Sequence, residues 1–281
     1  MDIQLAPERI LALDERVAFD EIRQRAMDRR TSAFGGGLGA FLQRAKPEEV
    51  TLQQTQRRLE PMWHVRCSAR YVYERTREYS VVASGPEVKQ VEVNGQIYPV
   101  AVAGRQFRLP IREHCREEFT LEHYTDGVTG NSVQDGKAVT SGSSTEIGDL
   151  STLTADGTLL IPPEHRASFV IRKLIAEMMK PVQADVVSEE ALSLERTDLY
   201  YRPIYGFEFF WTTKGKTGVV EIDAVTGQVR QAASLASGGK GMLTRDALFD
   251  LGADAAGLLI PGGSIAVKVA KVALDRASSQ G

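Results

Sequence analysis

The side chains best suited to chemistry lie close together in the sequence. Both cysteines and three of the four histidines fall between positions 64 and 123: His64, Cys67, His114, Cys115 and His123. A zinc site needs about four such ligands converging on one point. On an extended strand His64 and Cys67 point to opposite faces, and so do the adjacent His114 and Cys115. The spacing therefore predicts no metal site.

The sequence also predicts no catalytic group and no cofactor. Cys67 shares its strand parity with neighbouring aromatic residues, so we expect it to be buried, whereas Cys115 should be partly exposed. Cys115 with His123 and Glu117 is the one nucleophilic combination that remains open, and an unrecognised hydrolase is the third-ranked function. The glycine run at 35–39 follows a charged segment rather than a strand, so it does not indicate a dinucleotide site.

A basic face is the main candidate for binding. Its members surround the turns of two predicted hairpins: Arg66, Arg70, Arg75, Arg77, Lys214 and Lys216. Basic grooves with stacking aromatic rings hold single-stranded nucleic acid, so this face supports nucleic-acid binding as the alternative function. The favoured interpretation is that the arginines form a solvated face, because Arg66 and Arg70 alternate with the aromatic positions that should be buried.

Composition is that of an ordinary globular protein. The chain has 281 residues, a net charge of −3 and 42% hydrophobic residues, which does not indicate nucleic-acid binding by the whole molecule. Two cysteines are too few for a disulfide framework and favour a reducing compartment. The first residues, Met-Asp-Ile-Gln, do not resemble a signal peptide. We therefore expect a cytoplasmic, bacterial-type protein.

Two stretches of the chain share a pattern, which predicts an internal duplication. Pro61-Met62-Trp63 is followed downstream by Asp126-Gly127-Val128-Thr129-Gly130. Pro203-Ile204-Tyr205 is followed by Asp223-Ala224-Val225-Thr226-Gly227. Asp suits the first position of a tight turn and glycine suits a positive φ at its end. We expect the two Asp-x-Val-Thr-Gly segments to form equivalent corners.

Alternation of apolar and polar residues predicts antiparallel hairpins before these corners. In the second copy every other residue from Tyr205 to Trp211 is aromatic, a turn follows at 213–218, and a strand returns at 219–222. In the first copy we expect a strand from Trp63 and a turn at 74–78. Asn94-Gly95 lies between two alternating runs and is the strongest signal for a further hairpin.

These elements predict an α+β fold with five segments in sequence. They are an N-terminal helix with a Gly-rich joint at 1–46, a first antiparallel β module at 47–134, a linker at 135–150, a helix plus second antiparallel β module at 151–235, and a C-terminal helical hairpin at 243–281. Pro261-Gly262-Gly263 interrupts the apolar C-terminal stretch, so we predict no transmembrane segment. That hairpin could pack on the body, on a second chain or on a membrane surface.

The leading function is therefore that of a non-enzymatic interaction or scaffold protein. It would act through a protein partner or as a homo-oligomer, with peripheral membrane contact left open. The closing stretch at 220–229 resembles the strand-turn-strand endings of small peptidase-propeptide-like binding modules over about ten residues. A resemblance over so few residues implies no specific function.

Overall fold

The computed structural model describes residues 2–34, 45–179 and 181–230. Its strands are, in chain order, β1 (Asp2–Leu5), β2 (Glu8–Leu13), β3 (Val50–Val82), β4 (Gln90–Val93), β5 (Gln96–Pro99), β6 (Gln106–Asp126), β7 (Ser144–Glu146), β8 (Leu159–Leu160), β9 (Val186–Trp211), β10 (Lys216–Asp223) and β11 (Val229–Arg230). The α-helices are α1 (Phe19–Asp28), α2 (Gly136–Thr140) and α3 (Ala167–Met178), and short 3-10 helices lie at Arg30–Phe34, Pro47–Glu49 and Leu150–Thr154.

Within the described ranges, nine strands form one mixed sheet and β4 pairs with β5 alone. The main hydrogen-bonded order is β11-β10-β9-β2-β7; β1 also pairs with β9, and β3 pairs with β6, β8 and β9. Pairings of β9 with β1 and β2 and of β3 with β8 are parallel, whereas β10 is antiparallel to β9. The predicted α+β class with two antiparallel modules is therefore wrong, since the molecule is mostly β and its sheet is mixed.

The second predicted hairpin is confirmed. β9 and β10 pair with Tyr205 opposite Ile222 and Trp211 opposite Lys216. The aromatic residues of one parity on β9, including Phe207 and Phe209, are buried in a core that α1 covers. Burying a side chain of this size contributes about 1.5–3 kcal/mol, so this hairpin anchors its part of the sheet.

The first predicted hairpin is wrong. Its expected turn at 74–78 lies in the middle of β3, which runs unbroken for 33 residues. The charged residues there are strand residues whose partners lie on other strands, as with Arg75, which pairs with Glu113 of β6. The Asn94-Gly95 hairpin is confirmed: both residues have a positive φ, and β4 and β5 pair across them.

The predicted helix at the N-terminus is also wrong over its first half. Residues Glu8–Leu13 form β2, which pairs in parallel with β9, and the helix begins only at Phe19. The spacing of the apolar residues in this segment is compatible with both a helix and a strand. Pairing with the buried strand β9 favours the extended form. The predicted C-terminal hairpin at 243–281 and the glycine run at 35–39 lie outside the described residues.

The chain divides into two compact units, each built from several segments. Unit 1 comprises Met1–Ala6, Arg66–Leu121 and Ile175–Glu195, and unit 2 comprises Pro7–Val65, Glu122–Leu174 and Arg196–Gly281. β3, β6 and β9 each contribute residues to both units. The boundaries expected from sequence were consecutive, whereas these units are discontinuous. Both Asp-x-Val-Thr-Gly segments belong to unit 2.

Candidate functional site: a polar cleft lined by two equivalent corners

The first corner (residues 126–130) follows the end of β6. The backbone N–H groups of Val128 and Thr129 donate to Asp126 Oδ1 at 2.8 and 2.9 Å. The N–H of Gly130 donates to the Asp126 carbonyl at 2.9 Å, and Gly130 has a φ of 73°. Thr129 Oγ1 accepts the N–H of Asn131 at 3.3 Å. An aspartate side chain that caps its own turn makes such a corner rigid.

The second corner (residues 223–227) repeats these contacts after β10. The N–H groups of Val225 and Thr226 donate to Asp223 Oδ1 at 2.7 and 3.1 Å. The N–H of Gly227 donates to the Asp223 carbonyl at 2.7 Å, with a φ of 69° at Gly227. Thr226 Oγ1 accepts the N–H of Gln228 at 3.3 Å. The prediction that the two corners are equivalent is confirmed bond for bond.

The repeated prolines are part of the same arrangement. The N–H of Gly127 donates to the Pro61 carbonyl at 2.8 Å, and the N–H of Ala224 donates to the Pro203 carbonyl at 3.0 Å. Each corner is thereby fastened to the strand that carries its own proline. In the first corner the fit is tighter, because a Cβ on Gly127 would lie 2.8 Å from the Pro61 Cβ.

Together the corners line a polar cleft of about 380 Å³ within unit 2. Ten of its eleven lining residues carry polar side chains: three aspartates, two arginines, three hydroxyl residues and two amides. The lining consists of Asp126, Thr129, Asn131, Ser132, Val133, Asp135, Arg202, Asp223, Thr226, Gln228 and Arg230. Small-molecule and peptide sites are concave and use a few fixed polar groups for specificity, and this cleft has that character.

Arg202 holds one side of the cleft. Its guanidinium donates to both oxygens of Asp135, at 3.2 and 2.6 Å, and forms an ion pair with Asp223. Asp223 is only 1% exposed, so its carboxylate is buried against this guanidinium. Burial alone would raise the pKa of Asp135, but the hydrogen bond and charge of Arg202 outweigh it and lower that pKa.

A second group of ion pairs includes Arg230 of the cleft wall. Arg58, 2% exposed, donates from Nε to Glu60 at 2.8 Å and lies 2.9 Å from Glu221 Oε1. Arg230 forms a further ion pair with Glu60. Desolvation opposes the charged form of Arg58 and Arg230, but the neighbouring carboxylates, Glu60 first, raise the pKa of both guanidiniums. Desolvation would likewise raise the pKa of Glu60, and its two arginines lower it.

These shifts fix the charges of the site at neutral pH. Asp135 and Glu60 stay ionised and Arg58 and Arg230 stay protonated, since each pKa moves away from neutrality. A general acid or base works best with a pKa near the working pH. Side chains of constant charge are suited to recognising a ligand rather than to transferring protons.

The predicted basic face is distributed over both units. In unit 1, Arg66, Arg70 and Arg75 lie 2.8, 2.6 and 2.5 Å from carboxylates of Glu195, Glu189 and Glu113, and Arg77 donates to the Gln183 amide oxygen at 3.1 Å. In unit 2, Lys214 lies in the turn after β9 and Lys216 begins β10, and both are exposed. Three of the four arginines are thus already paired with acidic side chains.

None of the histidines and cysteines lines the cleft, although His165 packs against Gly130 of the first corner. His64 is buried, with Nε2 at 2.6 Å from Glu122 Oε1 and its ring stacked on Tyr124, and burial lowers the pKa of His64. Cys67 is buried, with a pKa raised by burial, and Cys115 is partly exposed, so the prediction for each cysteine is confirmed. Across the described ranges, no group of three or more His, Cys, Asp or Glu side chains is placed to hold a metal ion.

Sequence reasoning missed the arginines and acids that support the cleft. Arg202 and Glu60 directly precede the repeated Pro203 and Pro61, so opposite charges occupy equivalent positions of the two copies. That exchange is the one sequence signal that could have pointed to the ion pairs. Asp135 and Arg230 carry no comparable signal, because their partners lie far away in the chain.

Comparison with known protein families, curated proteins and solved structures gave no match. Among the described residues, no helix is long and apolar enough to cross a membrane. Functional inference therefore depends on the geometry of the cleft.

Proposed function

We propose that this chain is a non-enzymatic interaction protein that binds a partner in the polar cleft. The observation that carries the proposal is the cleft itself, whose two corners have the same capped backbone and whose walls are held by ion pairs. A site that is rigid before binding loses little conformational entropy on association. Such a site gives specificity through fixed hydrogen-bonding groups.

The charges of the cleft favour recognition over catalysis. Carboxylates and guanidiniums whose pKa values are displaced from neutrality present a constant electrostatic pattern to a ligand. Both free thiols fit the reducing, cytoplasmic setting expected from the sequence, and that location is part of the proposal. The partner could be another protein or a second copy of this chain.

Filling the mouth of the cleft tests this proposal. Ser132 is exposed and lines the cleft, so Ser132→Trp should obstruct it without touching an ion pair. Ser80→Trp, an exposed serine of β3 in unit 1, is the matched control. The measurement is quantitative affinity capture from native cells with each variant as bait, together with light scattering for self-association.

We expect Ser132→Trp to lose the partners, or the self-association, that the wild type and Ser80→Trp retain. Both variants must first show wild-type circular dichroism and melting temperature. If folded Ser132→Trp keeps the same partners and the same assembly state, the cleft is not the contact site and the proposal fails.

Nucleic-acid binding by unit 1 remains the alternative. The observation in its favour is an arginine stacked on an aromatic ring: Arg75 lies 5.7 Å from the centroid of Tyr73. Phosphate contacts make affinity fall steeply with salt. Labelled single-stranded DNA and RNA, titrated at two salt concentrations against wild type and Arg77→Ala, separate the alternatives. Tight, salt-sensitive binding that Arg77→Ala weakens would favour the alternative.

A further inference from the structure

The two aspartates that begin the corners differ in what their second oxygen contacts. In the second corner Asp223 Oδ1 caps the turn and Oδ2 faces the guanidinium of Arg202. In the first corner Asp126 Oδ1 caps the turn in the same way, whereas Oδ2 forms no hydrogen bond or ion pair within the described part of the chain. Asp126 therefore lacks the cationic partner that its counterpart has.

The sequence explains the missing partner. The residue before Pro203 is Arg202, which reaches Asp223, whereas the residue before Pro61 is Glu60. The Glu60 carboxylate is held by Arg58 and Arg230 and cannot supply a positive charge to Asp126. Asp126 nevertheless lines the same cleft as Asp223.

The charge of the site is unbalanced in the direction that a cation would correct. Among the residues that line the cleft, three carboxylates stand against two guanidiniums, which leaves one negative charge in excess; the groups are Asp126, Asp135 and Asp223 against Arg202 and Arg230. In a partly buried site such an imbalance attracts an external cation more strongly than on an open surface.

The other two carboxylates of the cleft lining are already engaged. Asp223 Oδ2, in a residue that is 1% exposed, contacts the Arg202 guanidinium, and both oxygens of Asp135 accept hydrogen bonds from that same guanidinium. Asp126 is therefore the one carboxylate of the lining whose second oxygen has no cationic partner among the described residues.

We infer that the cleft binds a guanidinium group, with Asp126 Oδ2 as its counter-ion. The bound group would supply to Asp126 the positive charge that Arg202 supplies to Asp223. Asp126 Oδ1 already accepts two N–H groups of the turn, so the guanidinium would donate to Oδ2, and the oxygens of Thr129 and Asn131 line the same cleft and can accept its remaining N–H groups. This inference rests on the proposed function and names the chemistry that the cleft recognises.

A guanidinium could come from a free metabolite or from an arginine side chain of a partner protein. The two sources share one chemistry and differ in what else contacts the cleft. The volume of about 380 Å³ lies in the lower part of the range for small-molecule sites, roughly 300–1,000 Å³, so both fit.

The experiment titrates the full chain with three probes while amide chemical shifts and heats of binding are recorded. The probes are methylguanidinium chloride, acetyl-glycyl-arginyl-glycinamide and the same peptide with uncharged citrulline in place of arginine. We expect the arginine peptide to bind, to shift the amides of Thr129 and Asn131, and to bind at least tenfold more tightly than the citrulline peptide. Equal affinity of methylguanidinium and the arginine peptide indicates a metabolite, and tighter binding of the peptide indicates a protein partner.

Asp126→Asn keeps an oxygen for the turn and removes the charge, so it should weaken binding of the arginine peptide at least tenfold. Asp149→Asn is the matched control, because Asp149 caps a turn of unit 2 in the same way but does not line the cleft. The inference is overturned if no guanidinium probe binds wild type, or if folded Asp126→Asn binds as well as Asp149→Asn. Shifts of wild-type amides provide a test that depends on no variant.

The two proposals fail separately. Loss of partners in Ser132→Trp without guanidinium binding by wild type would leave the proposed function standing and reject only the guanidinium. Guanidinium binding at Asp126 with unchanged partners in Ser132→Trp would show a ligand site and reject the cleft as the partner contact.

Discussion

The two corners of unit 2 have the same backbone and different electrostatics. Each has an aspartate that caps two N–H groups, a threonine that caps a third, a glycine with positive φ and a bond to its own proline. The second corner is also held by a buried ion pair, since Arg202 contacts Asp223. The first corner has no such buried ion pair among the described residues.

The comparison separates what local sequence decides from what packing decides. A turn of five residues is specified by its own Asp, Thr and Gly, so the same residues form the same hydrogen bonds in both corners. The charge around the turn depends on residues before the proline and on distant strands. One copy can therefore serve as a fixed wall while the other remains available to a ligand.

The largest loss of stability should come from removing Arg202 and with it the buried ion pair of the second corner. Arg202→Met leaves Asp223 buried without its cation, and breaking a buried pair in this way costs about 3–5 kcal/mol of unfolding free energy. Denaturant unfolding measures the loss. Arg66→Met removes a half-exposed ion pair of unit 1 and should cost about 1 kcal/mol or less. Similar losses of unfolding free energy in the two variants would show that the ion pair of Arg202 does not stabilise the second corner.

Alanine should destabilise the protein at both glycines that end the corners, and more at Gly227 than at Gly130. Gly130→Ala places an L-residue at positive φ, which costs about 1–2 kcal/mol, and the His165 ring, 2.8 Å from the new Cβ, must shift. Gly227→Ala has the same cost and also displaces Arg25, which donates to the Gly227 carbonyl at 2.6 Å, for about 1 kcal/mol more. In thermal and denaturant unfolding, Gly227→Ala should have a lower melting temperature and a lower unfolding free energy than Gly130→Ala. The reverse order would contradict the account.

The second position of each corner offers a smaller test. Gly127→Ala puts a methyl group 2.8 Å from the Pro61 ring, and such overpacking costs about 1–3 kcal/mol. Ala224→Gly removes a buried methyl group from the second corner and should cost about 1 kcal/mol. If Gly127→Ala proves neutral in denaturant unfolding, the proline contact does not constrain the first corner.

The smallest expected effect is a dependence on pH. The pKa values of Glu60 and Asp135 are lower in the folded than in the unfolded chain, where they are about 4. Their contribution to stability is complete above the unfolded pKa and is lost as the pH falls through the folded pKa. Unfolding free energy should therefore fall below about pH 4, and Glu60→Gln should flatten that fall. Exposed Glu48→Gln is the control, and an unchanged slope in Glu60→Gln would refute the assignment.

Sequence reasoning found the features that short segments specify. The two corners, the Asn94-Gly95 hairpin and the aromatic stripe of β9 were predicted because each depends on a few adjacent residues. It failed where partners are remote. The charged run at 74–78 resembled a turn because the acids and bases that face it, such as Glu113, lie on another strand.

The mixed sheet was missed for a similar reason. The apolar residues at 8–13 suit a helix or a strand, and parallel pairing with β9, about 190 residues away, decides between them. The cleft walls depend on pairs of comparable separation, such as Glu60 with Arg230. Only the opposite charges of Glu60 and Arg202 before the repeated prolines were visible in the sequence.

The central claim is that the corners share a backbone but only the second is locked by charge. Unfolding free energies of Asp126→Asn and Asp223→Asn test it most directly, because either substitution keeps the oxygen that caps the turn. We predict a loss of about 1.5–3 kcal/mol for Asp223→Asn, which removes the charged contact with Arg202 while Asp135 still pairs with that guanidinium, and about 1 kcal/mol or less for Asp126→Asn. Equal losses, or a greater loss for Asp126→Asn, would contradict the account.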